Sequence, residues 1–351
     1  MKFIHIADVH LGVRPDAGRA YSAKRESEIW DSFRRVIGLC EEEQTELLLI
    51  AGDLFHRQPL LRELKEVDYL FRTLTKTQVV LVAGNHDYIK EDSYYRTFTW
   101  SSNVHMILSR DISYVEIKEL DTAVYGLSYY TKEMEEPLYE QIRLKDDRRF
   151  RILLAHGGDE RHLPFRRTVV DKIGFDYAAL GHIHKPQELI PDRMAYAGAL
   201  EPTDKNDTGK HGFIKGTLDE NGCSTVFVLS ASREYIHMEV EVEEDMTGFG
   251  LRSLLEQEIR ALGMQNMYKV TLKGFKDPEV QFDLNNMDTF GNVLEIVDDT
   301  RPAFDFLRLL AANRNNLLGK YIEGFGDAEP DSIEYEALCA GVQALLETKR
   351  G

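Results

Sequence analysis

The sequence predicts a layered α+β fold, and three observations lead to it. Short apolar runs, each the length of a buried strand, recur through the first part of the chain. Helical periodicity fills the intervals between them. Near Ser230–Glu234 the pattern changes to a smaller strand-and-helix unit. At 351 residues the chain exceeds one typical domain and can bury a substantial core.

In chain order, Phe3–Ala7 opens as a strand and runs into Asp8 and His10. Ser22–Gln44 follows as a long helix with Ile29, Phe33, Val36, Ile37 and Cys40 on one face. Leu47–Gly52 is the next strand and delivers Asp53. Pro59–Thr75 carries Leu60, Leu64, Val67, Phe71 and Leu74 at helical spacing. Val79–Gly84 runs into Asn85, His86 and Asp87, and Ser93–Trp100 adds Tyr94, Tyr95, Phe98 and Trp100. Val104–Leu127 reads as strand-rich. Ile152–Ala155 ends at His156, and Tyr177–Gly181 at His182 and His184.

Beyond the break, Tyr235–Val242 alternates as an acidic strand and Thr247–Leu262 reads as an amphipathic helix. Tyr268–Phe275 and Val280–Leu284 read as two further strands. Two helices, Ala303–Leu318 and Ile333–Glu347, follow, joined by the acidic connector Gly324-Phe325-Gly326-Asp327. Phe304, Leu307, Leu310 and Leu318, with Leu338, Val342, Leu345 and Leu346, suit either a self-packed hairpin or a docking face for another chain. The expected domains are 1–230, a small α+β cap over 231–300, and a helical segment over 301–351.

Five strands thus each stop at residues that bind metal well. Ligands gather outside the carboxyl ends of strands in open α/β sheets, so these ends describe one polar rim. Residues two apart on extended backbone point the same way, which pairs Asp8 with His10 and His182 with His184. Gly52, Gly84 and Gly181, just before the ligands, permit sharp turns or close approach. Mixed imidazole, carboxylate and amide donors with no thiolate suit manganese, iron or zinc in an open catalytic site. Asp8, His10, Asp53, Asn85, His156, His182 and His184 are too many for one tetrahedral ion but suit two. Two such ions clamp a phosphoryl group and acidify water, which points to hydrolysis of a phosphate ester.

The motifs ADVHLG (7–12), AGDLFHR (51–57), VAGNHD (82–87) and LGHIHKP (180–186) resemble the calcineurin-like metallophosphoesterases. Within them they are most similar to the SbcD-type DNA repair nucleases, bacterial relatives of the MRN-complex nuclease subunit, and especially the short YhaO-like forms. The resemblance covers roughly the first 200 residues. It implies a four-layer α/β/β/α sandwich with a cap beside the active site. It assigns Asp8, His10, Asp53 and His184 to one metal and Asp53, Asn85, His156 and His182 to the other. His86 becomes the catalytic histidine beside the scissile phosphate, with Asp87 orienting its ring and His56 contacting the phosphate. Gly157-Gly158-Asp159 departs from the polar continuation expected after His156. The implied activity is that of a manganese-dependent DNA nuclease, 3′→5′ exonuclease and single-strand endonuclease, acting with an SbcC-like SMC-type ATPase in double-strand break repair. The resemblance also implies a homodimer through the Pro59–Trp100 region. The alternatives are a dimetal phosphodiesterase or phosphatase on a small or protein phosphoester, and a non-catalytic DNA-end scaffold.

A formal charge of −17 argues against tight DNA binding, although −11 of it falls in residues 231–351. Phosphate contacts need local cations. Arg14, Arg57, Arg161 and Lys185 are the main candidates, with Lys24, Arg25, Arg166 and Arg167. No apolar stretch reaches membrane-span length, and Met1-Lys2-Phe3 enters a strand directly, leaving no room for a signal peptide. Cys40, Cys223 and Cys339 are few and far apart, which fits a reducing cytoplasm. No GxxxxGK[ST] loop is present, so ATP-driven work falls to another chain.

Overall fold

The computed structural model describes every residue except Ala20, Asp327, Asp331 and Gly351, and the side chains of Lys349 and Arg350. The chain forms two units, Met1–Tyr235 and Ile236–Gly351.

The first unit contains, in order, β1 (Lys2–Ile6), α1 (Ser22–Glu42), β2 (Leu47–Ala51), α2 (Leu61–Arg72), β3 (Gln78–Val82), β4 (Val104–Met106), β5 (Ser113–Ile117) and β6 (Thr122–Gly126). There follow β7 (Phe150–His156), α3 (Arg167–Asp171), β8 (Tyr177–Gly181), β9 (Gln187–Ile190), β10 (Met194–Tyr196), β11 (Gly212–Asp219) and β12 (Gly222–Leu229). The strands make two six-stranded sheets, ordered β12-β11-β1-β2-β3-β4 and β5-β6-β7-β8-β10-β9. β1 to β4 are mutually parallel, as are β6, β7, β8 and β10; antiparallel strands flank each set.

Both faces of the central strands are buried, which explains why they read as continuous apolar runs rather than alternating ones. Phe3, Leu47, Leu49, Val80 and Val82 of the first sheet meet Val124, Ile152, Leu154 and Ala179 of the second in one inner layer. On the other face of the first sheet, Ile4, Ile6, Leu48, Ile50 and Leu81 pack under α1 and α2. On the outer face of the second, Tyr125, Leu153, Ala178 and Leu180 are covered by Val170 of α3 and by Tyr139 and Ile142. The architecture is the expected four-layer α/β/β/α sandwich.

α1 buries Ile29, Phe33, Val36, Ile37 and Cys40, but it ends at Glu42 rather than Gln44, whose φ of 54° is left-handed. α2 buries Leu64, Val67 and Phe71 against its own sheet. Within Ser93–Trp100 a single helical turn forms at Tyr94–Arg96, and Tyr95 is buried.

The second unit contains β13 (beginning at Tyr235, to Val242), α4 (Gly248–Leu262), β14 (Met267–Lys276), β15 (Val293–Asp298), β16 (Arg301–Pro302), α5 (Phe306–Asn313), α6 (Leu317–Phe325) and α7 (Ile333–Arg350). Its sheet runs β13-β14-β15, with β16 also paired to β14. Two expectations fail here. Val280–Leu284 is not a strand; that place is taken by β15. Asp277 accepts from Glu279 N, and Asp288 accepts from Gly291, Asn292 and Val293 N, so acidic side chains turn the backbone between β14 and β15. Ala303–Leu318 is not one helix. Asn316 caps a new one by accepting from Gly319 N, and this divides α5 from α6. Leu318, Ile322, Leu338 and Val342 pack together with Phe304, Leu310, Leu345 and Leu346 around them, whereas Leu307 is exposed. Asp327 of the expected connector lies outside the described residues. Among the described residues, no helix is long and apolar enough to cross a membrane.

Candidate metal centre

The parallel register brings the strand ends level. Ile6 pairs with Ile50, Ala51 with Val82, and His156 with Gly181. The segments that leave these ends carry Asp8 and His10, Asp53, Asn85, and His182 and His184 into one place. The route differs from simple alternation. Asp8 (φ 50°), His10 (φ 53°), Asp53 (φ 49°) and His182 (φ 96°) all have left-handed backbone, so the side chains converge through kinks beyond the strands. Such conformations persist in non-glycine residues only where the surroundings over-determine them. Close packing does so here. A Cβ on Gly84 would lie 2.2 Å from Asp53 Oδ1 and 2.7 Å from His156 Nε2. Gly52 combines φ +86° with a Cβ position 2.3 Å from the His156 ring.

The donor atoms converge as two sets. His10 Nε2 and His184 Nε2 stand 3.0 Å apart, and Asp8, His10 and His184 form one group able to hold a cation. His156 Nε2 and His182 Nδ1 face Asn85 Oδ1 at 2.8 and 3.2 Å. Asp53 lies between the sets: Oδ2 is 3.5 Å from His156 Nε2 and 3.9 Å from His10 Nε2, while Oδ1 accepts from His86 N at 2.9 Å. Asp8, Asp53 and His156 are a further group able to hold a cation.

Tautomers follow from the outer partners. His156 Nδ1 is 2.9 Å from the carbonyl of Ala51, which can only accept, so Nε2 is left bare. His184 Nδ1 donates to Asp207 at 3.0 Å and His182 Nε2 to Asp159 at 2.7 Å, leaving His184 Nε2 and His182 Nδ1 bare. Bare nitrogens and amide or carboxylate oxygens facing one another at these separations repel unless a cation or a proton stands among them. The donor set therefore fits divalent metal, and the Asp159–His182 and Asp207–His184 pairs are the carboxylate–histidine arrangement that fixes metal-ligating imidazoles.

Electrostatics agree. Burial opposes charge on His156, but Asp53, Asp8 and the Ala51 carbonyl outweigh it and raise its pKa to about 9. Burial likewise opposes charge on His184, yet Asp207 and Asp8 raise it to about 9. Burial and the neighbouring His156 lower His182 to about 4. Burial holds Asp8 above the usual carboxylate range; Asp53 is also desolvated, but His156 and His10 hold it below that range. Without a cation, a proton compensates the buried carboxylates in its place.

The expected ring orientation of His86 is corrected. Asp87 is fully buried and accepts from Gly84 N, Phe55 N and Tyr95 OH. It braces the turn, and burial with the Asp53 charge raises it to about 7. The His86 ring is instead held by the His56 carbonyl, 3.2 Å from Nδ1. His10, His56 and His86 cluster, their ring centroids 4.8 to 5.3 Å apart. Sequence reasoning missed Asp159 and Asp207. Asp159 lay in the departure after His156, and nothing local marks Asp207.

The basic candidates are mostly neutralised. Arg14 pairs with Glu26, Arg57 with Glu63, Arg161 with Glu133 and Arg166 with Glu140. Arg167 donates to the Leu189 carbonyl. Arg25 is no surface cation: it is fully buried, bonded to Glu28, Glu201 and the Pro202 carbonyl. Lys24 and Lys185 are exposed.

A family model described as calcineurin-like phosphoesterase matches residues 1–186, more than half of the chain. The chain belongs to that family. That family uses a dimetal centre, and the His and Asp groups gathered here are able to hold cations; the chain is a metal-dependent phosphoesterase. Its curated relatives include the uncharacterized metallophosphoesterase YhaO of Bacillus subtilis, 29% identical over 298 residues that cover 78% of this chain and 72% of that protein. They also include the DNA double-strand break repair protein Mre11 of Methanocaldococcus jannaschii, 29% identical over 222 residues, covering 59% of this chain and 58% of the relative. The Mre11 of Archaeoglobus fulgidus is 26% identical over 282 residues, covering 69% and 62%. The chain thus spans less than two thirds of these Mre11 proteins.

Proposed function

We propose that the chain is a two-metal phosphodiesterase that cleaves DNA, with manganese as its metal, as a 3′→5′ exonuclease and single-strand endonuclease. The observation that carries this reading is one carboxylate, Asp53, standing between two convergent imidazole sets. Asp8, His10 and His184 would hold one ion and Asn85, His156 and His182 the other, with Asp53 placed between the two sets. When bound, a pair of divalent cations supplies Lewis acidity for the phosphoryl oxygens and acidifies water at neutral pH.

His86 acts at the leaving oxygen. Its Nδ1–H is committed to the His56 carbonyl, so Nε2 presents itself to the substrate and, when protonated, delivers a proton to the departing alcohol. His56 keeps that ring in position through its carbonyl and lies against His10 with its own ring. Asp87 fixes the turn from which His86 projects. DNA as substrate is supported by the names of the Mre11 relatives. The three free cysteines support a reducing cytoplasm.

Assembly with a second copy through the outward side of α2, where Leu61 and Tyr69 are exposed, and with an SbcC-like ATPase is part of the same reading. One observation favours a small phosphodiester as the alternative substrate: the rim arginines are already paired with glutamates. Cleavage of oligonucleotides of increasing length with added manganese decides between them. A rate that rises with length supports DNA; a rate indifferent to length supports the small diester. In the same assay His86→Ala is expected to lose about a hundredfold to ten-thousandfold in kcat with metal content unchanged. Undiminished cleavage removes the role given to His86.

A further inference from the structure

A groove of about 600 Å3 opens in the first unit, within the range of small-ligand sites (roughly 300–1,000 Å3). It lies where the inner layer between the two sheets is left open. β9 and β10 line one wall, and Ile214 of β11 with Val226 and Phe227 of β12 line the other. Both β9 and β12 are edge strands, so no further strand closes it.

Two of its lining segments continue directly from the metal centre. Lys185-Pro186 follows His184 in the chain, and Thr208-Gly209-Lys210 follows Asp207, the carboxylate that holds His184 Nδ1. Lys185 and Lys210 are both exposed, and neither has an ion pair among the described residues. This sets them apart from the rim arginines, each neutralised by its own glutamate. Between the lysines the surface is largely apolar, with Ala195, Ile214 and one aromatic ring, Phe227. Phe227 is half-buried at the margin of the inner layer beside Ile214, whereas the Tyr196 side chain is buried in the outer layer of the second sheet with its hydroxyl on the Gly157 carbonyl; Glu188 also lines the groove and accepts from Asp192 N. Two unneutralised ammonium groups beside an aromatic and aliphatic floor match a planar apolar body carrying phosphates.

We infer that this groove is a nucleotide subsite: it takes a base of the DNA strand whose phosphate lies at the metal centre, and Lys185 and Lys210 hold the flanking phosphates. The inference rests on DNA being the substrate. Base–aromatic packing is tolerant of sequence because every base has a π-face, so the subsite positions the strand without reading it.

The test uses the full-length chain in EDTA, which prevents turnover, with a 5′-fluorescein-labelled twelve-nucleotide oligothymidylate. Anisotropy gives the affinity of wild type, Lys210→Glu and Phe227→Leu; Phe227 shares the inner face with its partner Ile214 and is half-buried, so leucine removes the ring and keeps an apolar side chain there. Lys210→Glu is expected to weaken binding about tenfold and to make the slope of log K against log salt shallower by about one. Phe227→Leu is expected to weaken it with the slope unchanged. Photocrosslinking of an oligonucleotide carrying 5-iododeoxyuridine is expected to mark Phe227. Wild-type affinity in both variants, or cross-links confined to residues outside the groove, overturns the inference. Cross-links at Phe227 from a chain that, loaded with manganese, leaves DNA uncut would keep the groove and remove the nuclease reading. DNA cleavage with both variants binding as wild type does the reverse.

Discussion

His156 and His184 offer the same kind of nitrogen to the same small space, yet they are held in opposite ways. His156 terminates β7, is fully buried, and takes its orientation from the carbonyl of Ala51 in β2. A backbone carbonyl inside a sheet is not free to rotate, so that ligand is as rigid as the sandwich itself. His182 and His184 stand beyond β8, are partly exposed, and take their orientation from carboxylates on loops, Asp159 and Asp207. A carboxylate fixes the ring and also adds charge that raises the basicity of the ligand. The strand-end half of the centre is therefore built by the fold, and the loop half by side chains that single substitutions can remove.

The largest effect is expected at the residue that stands between the two imidazole sets. Asp53→Asn leaves the His86 N bond possible but removes the charge between the two imidazole sets. Phosphodiester hydrolysis should fall on the order of a thousandfold, the upper end of the loss from removing one electrostatic stabiliser. Metal analysis should show less than the wild-type content. Wild-type content and activity would mean that the two sets do not share a carboxylate.

The outer partners separate the halves more finely. Asp207→Asn should weaken metal affinity by roughly ten- to a hundredfold, read by calorimetric titration with manganese. Asp159→Asn should lie near the lower end, about tenfold, because Asp159 is more exposed than Asp207 and also serves His162. Equal losses in the two variants would contradict this ordering. No such substitution exists for His156, whose partner is backbone.

The same division explains what the sequence revealed. An apolar run that stops at a carboxylate, amide or imidazole is visible residue by residue, and all seven expected ligands converge. The manner of their convergence was not visible. Alternation on extended backbone was the wrong reason, since Asp8, His10 and His182 are left-handed, and only packing against neighbouring strands imposes that conformation. The supports of the loop half were hidden for a related cause. Asp207 is 23 residues from His184 in sequence, and its role depends on the loop after β10 returning to the centre. Asp87 looked like the partner of His86 because it is adjacent, but Tyr95 and two backbone amides already take its oxygens. In the second unit, acidic turn residues moved a strand from Val280–Leu284 to Val293–Asp298, a choice set by side-chain hydrogen bonds to the backbone.

The rigidity of the strand-end half depends on the two sheets staying in register, and His5 offers the smallest and sharpest probe of that. It points from β1 into the inner layer, with Nδ1 3.0 Å from the Tyr177 hydroxyl and Nε2 3.2 Å from the Leu180 carbonyl. The carbonyl only accepts, so Nε2 carries the proton and Nδ1 accepts from Tyr177; the ring is neutral and bridges the sheets. Burial lowers its pKa to about 3, against an ordinary value of 6.5. The unfolded chain therefore binds a proton below pH 6.5 that the folded chain refuses until about pH 3. Stability from this group is complete above 6.5 and is lost as pH falls through that window. Between pH 7.5 and 5.5 the loss amounts to about 1.4 kcal/mol, roughly tenfold in the folding equilibrium. Urea unfolding of wild type and His5→Gln across that range isolates the contribution, because the other histidines titrate in both proteins. His5→Gln should show a shallower decline by about that amount, whatever its stability at pH 7.5. Parallel declines would mean that His5 is protonated in the folded state and that the inner layer at this point admits water.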